Sequence, residues 1–374
     1  MNASLPALAL RRIGRPPYPA YADGPKPEGH NSRVSPSPKR APSPKPTERS
    51  RWPLAAGLAA GVALDALFGD PRRGHPVAAF GRAAAALEAR DYADSRPRGA
   101  AHAAACVLAV AVPAAVLHRR TRGRPPWQAA ATALAVWAVT GARSLHHEAE
   151  RTRLSLHRHD LASAREILPS LCGRDPAHLD ADQIARAVIE SVAENTSDAV
   201  VAPLLWGAVA GIPGLVAYRA VNTLDAMVGY RSARYLRFGW ASARLDDVAN
   251  WIPARVTAAL TAACAPLVTK ANPVSVLRTV RRDGGRHPSP NAGRCEAAFA
   301  AALGVHLGGT NVYDGVAEAR PELWGAGRAP ESEDIRRAVF LSRAVTVSAT
   351  ALAVLIALFA DRGLTGVGRS RPGR

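Results

Sequence analysis

Carboxylates and carboxamides crowd into one stretch of this 374-residue chain, residues 189–255, beside segments otherwise built from Ala, Val, Leu and Trp. Glu190, Glu194, Asn195, Asp198, Asn222, Asp225, Asp246, Asp247 and Asn250 all fall there. An ionisable group at the edge of an apolar segment is expensive to desolvate, so groups that persist there meet a partner, an ion or a polar ligand. Adjacent Asp246 and Asp247, with the carboxamide of Asn250 one turn later, offer only oxygen ligands, a donor set that seats Mg²⁺ against substrate phosphates. Adjacent aspartates also occur harmlessly at helix starts, but here Trp251 and Ile252 open an apolar segment at once.

Two further rows carry polar chemistry. Arg219, Asn222 and Asp225 recur at i, i+3, i+6, which lines up a guanidinium, a carboxamide and a carboxylate on one side of a helix. Such a row could orient a phosphate and a metal together, or form only a local ion pair at a helix end. Upstream, Asp180 and Gln183 read as a capping box opening a helix whose Ala185, Val188, Ile189 and Val192 make one apolar face. Arg186, Glu190 and Glu194 fall on another face at i, i+4, i+8. A solvated stripe with an Arg186 ion pair is the plain alternative. It does not explain why Asn195, Thr196, Ser197 and Asp198 carry the polar face into the mouth of the next apolar run. Two loops, HPSPNAGRCE with Asn291 and LGGTNVYDG with Asn311, offer amides that could close over an anion, or are simply turns. No GxxxxGK[ST] loop, no GxGxxG after a strand and no GxSxG elbow occurs, so a nucleotide would bind without a familiar cradle.

The elements that must hold these residues are banded apolar runs, at 52–69, 100–117, 127–142, 199–221, 252–268 and 344–360. Each approaches the roughly 20 residues that cross a bilayer. The mean hydropathy of -0.05 looks soluble only because a polar N-terminal stretch dilutes Ala-rich segments. The expectation is an all-α, polytopic integral membrane protein of about five or six transmembrane helices with cytosolic helical and loop segments. A buried, Ala-rich soluble bundle is the alternative. Residues 143–198 turn soluble in composition and read as a helical insertion within a membrane-embedded domain at 52–374. Residues 1–51, rich in Pro, Ser, Lys and Arg, read as a disordered tail with no signal peptide ahead of it.

The formal net charge is +18, and 1–51 contribute ten Lys or Arg against three Asp or Glu. No nucleic-acid motif accompanies that excess, and loop arginines that orient membrane segments account for it without a nucleic-acid partner. The four cysteines, Cys106, Cys172, Cys264 and Cys295, lie far apart with no CxxC pair, which argues against a zinc site or a disulfide framework.

CGRD at 172–175, VIESVAENTSDAVVAPL, YRAVNTLDAMVGYRS, SARLDDVANWIPAR, SPNAG with Glu296, LGGTNVYDG and the early LDALFGDPRRGHPVAAFGR occur in a fixed order. In order and spacing they resemble the adenosylcobinamide-phosphate synthases of cobalamin biosynthesis, and the likeness runs from Trp52 to the C-terminus. The tail at 1–51 lies outside it. The resemblance implies a multi-pass enzyme of the cell (inner or plasma) membrane, surrounded by lipid, with its active site facing the cytoplasm. Such enzymes join a side-chain carboxylate of adenosylcobyric acid to (R)-1-amino-2-propanol phosphate, or to aminopropanol, using ATP and Mg²⁺. Association with other cobalamin-assembly membrane enzymes is a further expectation.

A carboxylate and an amine do not condense in water until the carboxylate is activated, and ATP would supply an acyl phosphate or an acyl adenylate. Under this resemblance Asp246 and Asp247 take Mg²⁺ with Asn250 in support. Arg219, Arg231 and Arg255 become candidates for phosphate or corrinoid carboxylate contacts, with Asn222, Asp225, Asn291 and Asn311 beside them. Glu190 or Glu194 becomes the candidate base for the attacking ammonium, in a catalytic set completed by Asn195 and Asp198. The competing reading is a transporter or a non-catalytic membrane homologue, which would place its carboxylates nearer mid-membrane and show internal repeats.

Overall fold

Helix follows helix because runs of Ala, Leu and Val are punctuated by Pro at the first turn and Gly at the ends. The computed structural model describes residues 51–70, 74–313, 316–323 and 327–359, without the side chains of 310–320. The tail reading for 1–51 therefore lies, but for Arg51, outside the described residues. The helices run α1 (Trp52–Phe68), α2 (Pro76–Asp91), α3 (Arg96–Thr121), α4 (Pro125–Val139), α5 (Ala142–His157), α6 (Leu161–Ile167) and α7 (Ala181–Thr196). After them come α8 (Ala202–Val228), α9 (Tyr235–Phe238), α10 (Trp240–Ala249), α11 (Trp251–Cys264), α12 (Pro273–Asp283), α13 (Ala292–Leu303) and α14 (Ser332–Phe359). Pro stands in the first turn of α1, α2, α3, α4 and α12, where its missing N–H is not needed.

Three helical runs, Arg96–Thr121, Ala181–Val228 and Ser332–Phe359, are long and apolar enough to cross a membrane, and Trp52–Phe68 is a shorter apolar helix. Their outer faces are bare of protein: Leu108 and Val112 on α3 and Val347 on α14 are more than half exposed. A helix with apolar residues both on its packed side and on its open side matches a lipid surround, not water. This is an all-α membrane protein. The helices over two of the other apolar runs, α4 and α11, span only 15 and 14 residues.

Close helix packing rests on small residues. Gly57 and Gly61 of α1 face Thr132 and Val136 of α4, and a Cβ added at Gly61 would stand 2.4 Å from the Val136 Cβ. Four-residue spacing on both helices lets the backbones meet along a seam, as in small-xxx-small pairs of membrane helices.

At the centre sits α7. Its Asp180–Gln183 capping box forms as the sequence suggests, with Asp180 Oδ1 accepting from the Gln183 N–H at 2.8 Å and Gln183 Oε1 accepting from the Asp180 N–H at 3.0 Å. Ala185, Val188, Ile189 and Val192 are fully buried against α5, α13 and α14. The stretch read as a soluble insertion thus ends in a largely enclosed helix, because its apolar face is covered by neighbours on several sides.

One departure from the all-helical expectation is a two-stranded antiparallel hairpin, β1 (Leu307–Tyr313) with β2 (Val316–Leu323). LGGTNVYDG reads as a loop from its Gly and Asn content, yet its first seven residues are the whole of β1. Gly308 and Gly309 take φ of 88° and 85°, and the ladder register shifts between Leu307 and Gly309. Glycine permits that irregularity, which a sequence reading registers as a turn. Likewise HPSPNAGRCE is a turn only as far as Asn291, since α13 begins at Ala292.

Candidate functional site

Three separate segments deliver carboxylates to one cavity of about 350 Å³. The first is the junction of α7 and α8, where Ser197–Val201 form a single π-helical turn. A π turn inserts one residue into the helical ladder and re-aims the side chains around it. Here it turns Asp198 toward the cavity beside Glu194. Near its end α8 contributes Asp225, and Gly229 follows as the C-terminal cap. A Cβ at Gly229 would stand 1.9 Å from Asp225 Oδ1, so the missing side chain leaves the carboxylate its place. The last turns of α10 contribute Asp246 and Asp247, with Asn250 at the step into α11. The adjacent aspartates are therefore not a helix-start cap: they lie at the C-terminal end of α10, where the helix dipole disfavours negative charge. A carboxylate pair in that position is held by other contacts.

Those contacts are amides and a phenol. Asn222 Nδ2 donates to Asp198 Oδ2 at 3.2 Å and to Asp246 Oδ1 at 3.3 Å. Asn250 Nδ2 donates to Asp246 Oδ2 at 3.0 Å, while its Oδ1 accepts from the Tyr218 hydroxyl at 2.8 Å. Among the described residues no Lys, Arg or His forms a salt bridge with Asp198, Asp225 or Asp246, and Asp247 pairs with the exposed Arg244 at 3.1 Å. Burial pushes the Asp246 carboxyl above the usual carboxylate range, the Asn250 and Asn222 amides pull it back, and neighbouring Asp247 pushes it up again. A group of carboxylates with so little neutralisation favours a cation as its missing partner.

The opposite wall suits anions. Ser289, Asn291 and Ala292 line the cavity where α13 begins, and the N-cap Asn291 makes no side-chain capping bond there. Asn291 Nδ2 instead donates to the Asp247 carbonyl at 2.8 Å, tying the start of α13 to the end of α10. Ser289 Oγ accepts from the Asn291 and Ala292 N–H groups at 3.3 Å and 3.2 Å. The positive end of the α13 dipole faces this lining, and Arg231 adds a guanidinium to it.

The cavity thus gathers Glu194, Asp198, Asp225, Arg231, Asp246, Asp247, Asn250 and Asn291. Asn222 stands in its wall between two of the aspartates. Arg219 is set back: its guanidinium donates to Asn222 Oδ1 at 3.3 Å, and its side chain borders a separate apolar cleft between α2, α3, α4 and α8. Arg255 stacks 4.0 Å over the Trp251 ring and reaches Asn291 Oδ1 at 3.5 Å. Asn195 turns back along α7, donating to the Ser191 carbonyl at 2.9 Å. Asn311 has its side chain outside the described residues.

Glu190 is not brought to the cavity. It is buried in an ion pair with Arg174 of the CGRD segment at 2.6 Å and accepts the Gly308 N–H at 2.7 Å, so it clips the hairpin onto α7. The suggested Arg186 pair is present but long, at 4.0 Å. Helical spacing places Glu190 and Glu194 on one face and cannot tell that neighbouring segments enclose one and leave the other exposed. Tyr218 escaped sequence reading, although it precedes Asn222 by one turn on α8 and shares its face. Cys295 lines the cavity too, but burial raises its thiol pKa and keeps it protonated.

No three His, Cys, Asp or Glu side chains among the described residues stand close enough to hold a metal unaided. Mg²⁺ does not require such a cage, since it keeps waters and binds through one or two carboxylates plus substrate phosphates. The carboxylate oxygens of Asp246 and Asp247, braced by Asn222 and Asn250 and facing the start of α13 and Arg231, fit Mg²⁺ carrying a phosphate ligand.

Apolar helices enclosing a carboxylate-rich cavity at their ends define a helical membrane protein with a built polar site. The family model described as CobD/Cbib protein matches residues 58–342, and the chain belongs to that family. It is similar to the cobalamin biosynthesis protein CobD of Mycobacterium tuberculosis, 54% identical over 308 residues, which are 82% of this chain and 97% of the relative. The protein of that name from Geobacter metallireducens is 47% identical over 270 residues, 70% of this chain and 84% of its own. That from Sinorhizobium fredii is 40% identical over 315 residues, 81% and 97% of the two chains. No solved structure matches the chain.

Proposed function

We propose that this protein acts in cobalamin biosynthesis as the membrane-bound, ATP-dependent amide ligase that joins adenosylcobyric acid to (R)-1-amino-2-propanol phosphate, giving adenosylcobinamide phosphate. One observation carries the reading: Asp198, Asp225, Asp246 and Asp247, from segments far apart in the chain, meet in one cavity opposite the N-terminus of α13. A site with an acidic wall and an anion-seeking wall suits a reaction whose partners are a cationic amine, a divalent ion and phosphate.

The bond formed is the amide C–N bond. The bond broken lies between the substrate carbonyl carbon and the carboxylate oxygen, which departs on the phosphoryl or adenylyl group taken from ATP. Asp246 and Asp247, oriented by Asn222 and Asn250, would hold Mg²⁺. The ion supplies charge neutralisation for the phosphates. Glu194, exposed at the cavity, accepts the proton that the attacking ammonium must lose, as its carboxylate already faces the space where an amine would sit. Arg231 and the first turn of α13 receive developing negative charge from fixed positions, which costs no reorganisation during reaction. Because ATP is a cytoplasmic reagent, the cavity is assigned to the cytoplasmic side.

The test is a reconstituted assay of the full chain with adenosylcobyric acid, aminopropanol phosphate and MgATP, following the corrinoid product by mass. The expected product gains the aminopropanol phosphate mass less one water. ATP-independent transport of a corrinoid with no new amide would overturn the reading.

A further inference from the structure

A second cavity, of about 410 Å³, adjoins the acidic one and has the opposite character. It is lined by Arg96, Arg231, Arg237 and Arg244, with the rings of Tyr230 and Trp240 among them. Its one carboxylate among the described residues is Asp247, which also lines the acidic cavity, as do Gly229, Arg231 and Ala243. The two cavities share a wall.

This cavity is built by close backbone approaches and is not a gap between loose side chains. A Cβ at Gly99 on α3 would stand 1.8 Å from the Phe238 carbonyl oxygen, and one at Gly239 would stand 1.7 Å from that of Val228. Only glycine allows α3, α8 and the α9–α10 step to touch this way. The result sets Arg96, three residues before Gly99, at 5.4 Å from the Trp240 ring centroid. Arg96 and Arg231 make no ion pair among the described residues. Arg237 meets Asp94 at 3.7 Å with both side chains more than half exposed, and Arg244 meets Asp247. Such exposed pairs are weak, so a stronger anion displaces them.

Guanidinium groups match phosphate oxygens, and exposed aromatic faces stack on flat bases whatever their sequence. The volume suits a small ligand of nucleotide size. We propose that this basic, aromatic cavity is the seat of the nucleoside triphosphate, with base on Trp240 and Tyr230, phosphates on the arginines, and the shared Asp247 wall as the crossing to the cation. The acidic cavity is then left to the amine and the metal. This assignment rests on the amide-ligase reading above, but the two fail differently.

The experiment uses the full chain in phosphatidylcholine nanodiscs, with a fluorescent ATP analogue displaced by ATP. Trp240→Ala and Arg96→Ala are each expected to weaken ATP binding about 10-fold, the scale of one lost base stack or one charge-assisted hydrogen bond. Trp240→Phe, which keeps an aromatic face, retains most of the affinity, and Arg151→Ala at a distant exposed ion pair retains all of it. Wild-type binding that neither Trp240→Ala nor Arg96→Ala alters would overturn the assignment and leave the ligase reading standing. Absence of ATP binding by the wild type overturns both. Displacement of the analogue by nanodiscs containing phosphatidylglycerol, with none by ATP, would make the cavity a lipid headgroup site and overturn the assignment as well.

Discussion

Asn222 on α8 donates one amide N–H to Asp246 on α10 across 3.3 Å, and its other contact, at 3.2 Å, is Asp198 in the π turn. A single carboxamide thus holds two carboxylates that would otherwise repel each other across the cavity wall. Asn222→Ala removes that donor from both, which costs roughly 1–3 kcal/mol for hydrogen bonds to partly buried, charged acceptors, although Asp246 keeps the Asn250 amide. The expected outcome is a lower melting temperature that rises with added Mg²⁺ more steeply than in the wild type. Thermal melts across a Mg²⁺ series check it; a melting temperature equal to the wild type's would sink the idea.

Asp247→Asn keeps the size of the side chain while removing the charge that offsets the cation. Turnover at low Mg²⁺ should fall by about 10 to 100-fold, the usual scale for a lost metal-site contact, and partly recover at high Mg²⁺. An unchanged Mg²⁺ dependence would move the metal away from α10, toward Glu194 and Asp198.

The two glutamates of α7 should separate cleanly. Glu190→Gln strips the charge from one partner of a buried ion pair, which costs about 3–5 kcal/mol. Glu194→Gln, at an exposed position on the cavity, should leave the melting temperature nearly unchanged and lower turnover instead. Melting and turnover measured on both variants decide it, and a catalytic loss in Glu190→Gln without destabilisation contradicts the division of roles.

His146 on α5 is buried against Ser342 of α14, its ring nitrogen 2.9 Å from the serine oxygen. Burial, with Arg343 adding repulsion, lowers its pKa to about 4. The unfolded chain takes up this proton near the ordinary value of about 6.5, before the folded protein does. Stability from the neutral ring is therefore whole above about pH 6.5 and drains as pH falls toward 4, by up to about 3 kcal/mol. His146→Gln, with an amide nitrogen in place of the ring nitrogen, should flatten that part of the profile. Melts between pH 4 and 7 with equal slopes in both proteins would refute the attribution.

Much of the site was legible from one dimension. Asp246, Asp247 and Asn250 announce themselves because a carboxylate pair and an amide one turn apart are costly beside an apolar segment. The Asp180–Gln183 box and the apolar stripe of α7 follow from local hydrogen bonding and helical period, which need no tertiary partner. Three of the apolar runs could be read as spanning for the same reason, since length and composition set that property within the segment itself. What the sequence could not decide is which face of a helix is covered. Glu190 and Glu194 share one periodic row, yet Arg174 and the Gly308 N–H enclose the first while the second stays open to the cavity. The π turn at Ser197–Val201 leaves no composition signal, because the same residues would fit an ordinary helix; packing around α7 and α8 decides it. The basic cavity was equally invisible: Arg96 lies far along the chain from Arg231 and Trp240, and only the glycine contacts of α3 and α8 bring their side chains together.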